Sequence, residues 1–194
     1  MFYVLNNKKV LKIFKIIIIL LAFIFIIKSV VNYILPIKYY DTVDKYSKKY
    51  NVEKELVFAV INAESRFNKQ ALSNKGAIGL MQIMPETGKW LFEKLNKENF
   101  YNNILYREEI NIELGTYYLS HLLNKFKDEE LALCAYNAGA NNVYKWLNNS
   151  EYSSDGEIFK IPFKETEKYL KKVTLFKKGY KFKSFLFNSF SKKS

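Results

Sequence analysis

The sequence predicts an all-α domain preceded by one N-terminal transmembrane helix. Three observations lead there. Every residue from Ile16 to Ile27 is apolar. Beyond residue 40, apolar side chains recur at the three- and four-residue spacing of helices. Few stretches alternate as strands do. With 194 residues, 49% of them hydrophobic, the chain has room for one domain and appendages. Its 7 Gly and 3 Pro exclude a collagen-like or low-complexity protein.

The apolar run extends from Ile13 to Leu35 if Lys15 and Lys28 snorkel toward the two interfaces, and so reaches the ~20 residues that a span requires. Lys8, Lys9, Lys12 and Lys15 precede it, which predicts an N-terminus inside and the remainder outside. A cleaved signal peptide has a similar opening. However, Lys28-Ser29-Val30-Val31-Asn32-Tyr33 offers no small-x-small cleavage site, so an uncleaved anchor is expected. Pro36 ends that helix. A short helix is expected over Asp41–Tyr50, then a second over Val52–Glu64 with Asn51 as its N-cap. Residues 68–79 carry a loop signature in Asn68, Ser73, Asn74, Gly76 and Gly79. Pro85-Glu86-Thr87 opens a helix, Asn111–Phe126 forms a long one, and Leu131–Trp146 forms another interrupted near Gly139. The expected divisions are a basic cytoplasmic segment (1–12), an anchor (13–35), a domain (36–175) and a basic aromatic tail (176–194).

The formal charge of +12 is unevenly placed. Residues 1–40 carry six Lys and no acid, and residues 171–194 carry eight Lys and no acid, whereas 41–170 is close to neutral at −2. A nucleic-acid binder concentrates its basic residues on the folded domain. Basic ends beside an apolar segment fit a lipid membrane, so the sequence points to a membrane partner through the N-terminal helix and to no nucleic acid. The tail combines its lysines with Phe176, Tyr180, Phe182, Phe185, Phe187 and Phe190. It reads as a segment lying on an anionic membrane or wall polymer, or as a partly disordered solvated tail. The single Cys134 lies in the apolar run Leu131–Ala135 and reads as a small buried hydrophobe.

Glu64 falls on the arc shared by Leu56, Val57, Val60 and Ile61, one turn beyond Val60. A carboxyl on an apolar face resists ionisation, and one that stays protonated near neutral pH can donate to a leaving oxygen. Periodicity alone leaves a structural alternative, in which Glu64 pairs with Arg66 or caps a loop.

The surrounding residues add a resemblance. Glu64-Ser65, a spacer, Ser73, then Gly76-Ala77-Ile78-Gly79-Leu80-Met81-Gln82-Ile83-Met84-Pro85-Glu86-Thr87 resembles the motif of the soluble-type lytic transglycosylases, relatives of goose-type lysozyme. Three further blocks follow in the family's order: Asn111-Ile112 with Gly115, Tyr118 and Leu119; Ala135-Tyr136-Asn137-Ala138-Gly139 with Val143 and Trp146; and Ile161-Pro162-Phe163 with Glu165, Thr166 and Tyr169. The resemblance covers residues 41–175 and implies a lysozyme-like α-helical domain. It also implies cleavage of the β-1,4 bond between N-acetylmuramic acid and N-acetylglucosamine in peptidoglycan glycan strands. In that reaction the muramyl 6-hydroxyl attacks its own anomeric carbon and leaves a 1,6-anhydro end, so one carboxyl, Glu64, serves first as acid and then as base. Ser73, Gln82 and Met84 match positions lining the saccharide groove, Tyr136 matches a tyrosine facing the acid, and Glu165 matches a glutamate near the cleft. For Glu165 the alternative is a structural salt bridge, and Glu86 reads as a first-turn helix residue. Two other readings stay open, a goose-type muramidase that uses water and a non-catalytic peptidoglycan-binding module. No Cys/His cluster, paired Asp motif or phosphate-cradling glycine loop is present, so no metal or cofactor is indicated. His121 is assigned no role.

Overall fold

The computed structural model describes residues 7–191 and divides into two units, Met1–Ile37 and Lys38–Ser194. Parts of the segments expected at 1–12 and 176–194 lie outside the described residues. The first unit is helix α1 (Asn7–Ile34), of which Val10–Ile34 is long and apolar enough to cross a membrane. Its apolar side chains are exposed throughout, as a lipid-facing helix requires.

The second unit is built around α3 (Lys54–Ser65). Every residue from Leu56 to Ala63 is buried, Phe58, Ala59 and Asn62 included. The narrow apolar arc read from the sequence is therefore too narrow, because α2 (Tyr40–Tyr50) and α8 (Lys164–Ser191) both pack on α3. The N-cap expected at Asn51 is also corrected. Asn51 adopts φ 52° and closes the C-terminus of α2, where an asparagine tolerates the left-handed conformation, and the cap position of α3 is Glu53.

After α3 comes an irregular segment and then α4 (Pro85–Lys94), with Pro85 in the first turn, where its missing N–H costs nothing. A 3-10 turn (Asn102–Tyr106) leads into α5 (Glu108–Phe126), which begins three residues before the expected start. Buried Glu113 on α5 accepts from Lys49 (2.8 Å), Lys97 (2.9 Å) and Tyr50 (3.0 Å), holding α2 against α5. The interruption expected near Gly139 divides α6 (Glu129–Ala138) from α7 (Ala140–Leu147). Gly139 has φ 87°, a conformation that side chains rarely adopt. Asp128 caps α6 by accepting from the Leu131 amide (2.7 Å). A two-residue hairpin, β1 (Ser153–Ser154) and β2 (Glu157–Ile158), precedes α8.

Helix α8 crosses the boundary expected at residue 175 without a break. Val173, Tyr180 and Lys183 are buried, and Tyr180 packs on Phe58 with ring centroids 5.5 Å apart. Over the described residues the tail is thus a helical continuation of the domain, its inner face covered by α3.

Candidate active site

Glu64 occupies the last turn of α3. The chain turns sharply behind it, with Arg66 (φ 52°) and Phe67 (φ 62°) both left-handed. Two consecutive non-glycine residues in that region store roughly 1–3 kcal/mol each. Phe67 is buried, and Ser65 donates its hydroxyl to the carbonyls of Leu80 (2.8 Å) and Ile61 (3.2 Å), tying the turn to the segment before α4.

Burial pushes the Glu64 carboxyl up to about 7, and the negative charge of Glu165 adds to this. The Tyr169 hydroxyl and the Lys172 ammonium, both on α8, pull the other way. Burial first, and the charge of Glu64 second, hold the Tyr169 hydroxyl protonated well above its ordinary range. Lys172 donates to the carbonyl of Ala63, the residue before Glu64, at 2.6 Å. Tyr136 donates to the Met81 carbonyl at 2.9 Å. Burial first, and Glu64 second, hold the Tyr136 hydroxyl protonated well above its ordinary range.

Asn111 pins the segment between α3 and α4. Its carboxamide oxygen accepts from the Met81 amide (2.7 Å), and its nitrogen donates to the carbonyls of Ile78 (2.9 Å) and Leu105 (2.8 Å). Gly79 (φ 81°) lies so close that a Cβ there would meet the Leu105 carbonyl at 2.5 Å. A cleft of about 250 Å³ follows, lined by Gln82, Met84, Tyr136, Asn137 and Gly139 among others. It shares Thr87 and Tyr118 with a hollow of about 370 Å³ that reaches Trp90, His121 and Lys125. The His121 ring packs edge-on to Trp90, centroids 5.4 Å apart.

The residues singled out in the sequence come together unequally. Tyr136 lines the cleft and is electrostatically coupled to Glu64. Gln82 lines the cleft, but its amide nitrogen is committed to the carbonyls of Gly79 (2.9 Å) and Ala71 (3.3 Å), which leaves its Oε1 for a ligand. Met84 is exposed in the same cleft at the start of α4. Ser73 closes its own loop, accepting from the Ala77 amide at 2.9 Å. Glu165 forms an exposed ion pair with Lys75 at 3.1 Å. Asn137 accepts from the Thr166 hydroxyl at 2.7 Å and so joins α6 to α8. Burial pushes the Cys134 thiol up to about 12, in keeping with an unreactive core residue. Sequence reasoning gave no role to Tyr169 or Lys172. The available signal is their place on α8, with Tyr169 one turn from Thr166 and Val173 on the buried face.

Residues 41–159 match the family described as Transglycosylase SLT domain. The chain belongs to this family. It is 33% identical over 150 residues to the soluble lytic murein transglycosylase of Salmonella typhimurium, a match covering 75% of this chain and 23% of that protein. It is 30% identical over 167 residues to the membrane-bound lytic murein transglycosylase C of Salmonella arizonae, covering 74% of this chain and 46% of that one. The crystal structure of the 70 kDa soluble lytic transglycosylase of Escherichia coli superposes with a TM-score of 0.69 at 31% identity, covering 76% of this chain and 25% of that one. The SLT-family chain thus spans a quarter to a half of the length of these relatives, and it has their lysozyme-like helical fold.

Proposed function

We propose that this SLT-family protein is a lytic transglycosylase. It would cleave the MurNAc-β-1,4-GlcNAc bond of peptidoglycan and form 1,6-anhydro ends, with Glu64 as the single acid/base. The observation that carries this reading is the Glu64 carboxyl, held near 7 by burial at the end of α3 within the family-matching region. At that value it is protonated often enough to donate to the leaving oxygen, and it is basic enough afterwards to take the proton of the muramyl 6-hydroxyl. The other carboxylate acting on it, Glu165, is exposed and engaged by Lys75. An intramolecular attack needs no second carboxylate, whereas water-using glycosidases need one as base or nucleophile.

In this reading Tyr136 and Tyr169 stabilise charge developing near Glu64, Gln82 Oε1 accepts from an N-acetyl N–H, and Met84 walls the sugar. Ser73 and Glu165 act at the margin of the groove, the first by shaping its loop and the second through its field on Glu64. The protein is anchored by a single pass of α1, its N-terminus inside and the SLT domain outside the cytoplasmic membrane, as the preceding lysines direct.

Digestion of purified peptidoglycan followed by mass spectrometry tests the proposal. Muropeptides lighter by one water than the hydrolytic products are expected. Products with reducing ends would replace this reading with a muramidase. Binding to sacculi without released fragments, by folded protein, would replace it with a binding module.

A further inference from the structure

We propose that the outward face of the C-terminal half of α8, carrying Leu175, Phe182 and Phe185 among lysines, docks on the surface of an anionic lipid bilayer. The proposal rests on the membrane-anchored reading above.

Positions 171, 175, 178, 182 and 185 follow one another at alternating intervals of four and three, which places them on a single stripe of the helix. Leu175, Phe182 and Phe185 are 68%, 65% and 71% exposed. The opposite face fixes this orientation. Val173 and Tyr180 are buried there, Lys177 bridges Glu53 (3.0 Å) and Glu129 (2.6 Å), and Ser184 donates to Glu55 (2.8 Å). The stripe cannot roll inward without breaking those contacts. Among the described residues Lys178 faces outward and forms no ion pair, while Lys171 pairs with Glu167 and Lys181 with Glu53. From residue 171 onward the chain has eight lysines and no acid.

Two observations select lipid as the occupant. The first is chemical. A wall polyanion would pair with the lysines and leave the two rings and Leu175 in water, whereas a bilayer interface accepts apolar side chains at the acyl boundary and lysines at the headgroups. The second is the tether. Residues 35–39 separate α1 from α2 and reach at most about 18 Å. With α1 spanning, the length of this connection keeps the start of α2 no farther than that from the end of the span. Tyr40, in the first turn of α2, stacks on Phe58 (6.2 Å), and Phe58 packs on Tyr180 (5.5 Å). These ring contacts tie the start of α2 to the inner face of the helix whose outer face carries the stripe.

The test uses the full-length chain reconstituted in phosphatidylcholine vesicles, with and without phosphatidylglycerol. An environment-sensitive fluorophore is placed by Lys178→Cys, and a control by Asn103→Cys on the 3-10 turn. Co-flotation with vesicles reports the anchor independently, and peptidoglycan cleavage is not needed for any readout. The label at 178 is expected to shift to the blue and to be quenched by lipids carrying a shallow quencher. The effect should be stronger with phosphatidylglycerol, and Phe182→Ser with Phe185→Ser should abolish it at unchanged helicity. Emission at 178 matching the control at 103 in floated, phosphatidylglycerol-containing vesicles overturns the proposal. A blue shift that disappears on dilution of protein in lipid assigns the face to a second copy and overturns it too. A blue shift produced by purified sacculi and not by lipid assigns it to wall polymer, with the same consequence.

Discussion

The buried Tyr169 hydroxyl and the Glu64 carboxyl act on each other across the packed faces of α8 and α3, the hydroxyl favouring the ionised carboxylate. An ionised Glu64 carboxylate accepts from such a hydroxyl more strongly than the protonated acid does. Tyr169→Phe should therefore lower turnover by about tenfold, less than the ~100-fold or more expected of a general acid or base itself. It should also move the basic limb of the pH–rate profile upward, since the hydroxyl normally eases ionisation of Glu64. Turnover on purified peptidoglycan across pH checks both effects.

Glu64 makes stability depend on pH in a defined direction. Its folded value is near 7 against an ordinary 4.5, so the folded state binds the proton more tightly than the unfolded one. The contribution is fully favourable below about 4.5 and is lost as pH rises through about 7. Glu64→Gln should match the parent near pH 4 and exceed it above pH 7, by on the order of 3 kcal/mol given ~1.4 kcal/mol per unit. Thermal melts at a series of pH values measure the difference. The same substitution should abolish peptidoglycan cleavage.

Lys172 combines a hydrogen bond to the Ala63 carbonyl with a charge that favours the Glu64 carboxylate. Lys172→Gln keeps a donor and removes the charge, so Glu64 should hold its proton more tightly and the basic limb should move to higher pH. Lys172→Arg should leave the limb in place. Identical profiles for the two variants would show that the charge is without effect.

Asn111 satisfies three buried backbone groups on two segments of the chain while 1% exposed. Asn111→Ala should cost about 2–4 kcal/mol by leaving buried groups unpaired, and denaturant titration would report it. Because those groups belong to Ile78, Met81 and Leu105, activity should fall further than stability alone explains.

The helices of the second unit are legible because their caps and periodicity agree. Pro85 opens α4, Gly139 parts α6 from α7, and the apolar spacing of α5 runs nearly its full length. Glu64 is legible through the run of residues that follows it. Asn51 misleads because its side chain suits either end of a helix, and backbone handedness decides between them. The lysine-rich stretch after residue 175 masks a helix whose buried stripe of Val173, Tyr180 and Lys183 becomes visible only once α3 lies against it. Tyr169 and Lys172 reach Glu64 from more than a hundred residues away through the packing of α3 on α8, a relationship that no local pattern carries.

Helix α8 runs unbroken from the glutamate that biases the acid, through the tyrosine and lysine that oppose it, to the ring wedged on Phe58. All three groups ride on one rod, so its seating against α3 sets their influence on Glu64 together, and a substitution that shifts that seating would move all three at once.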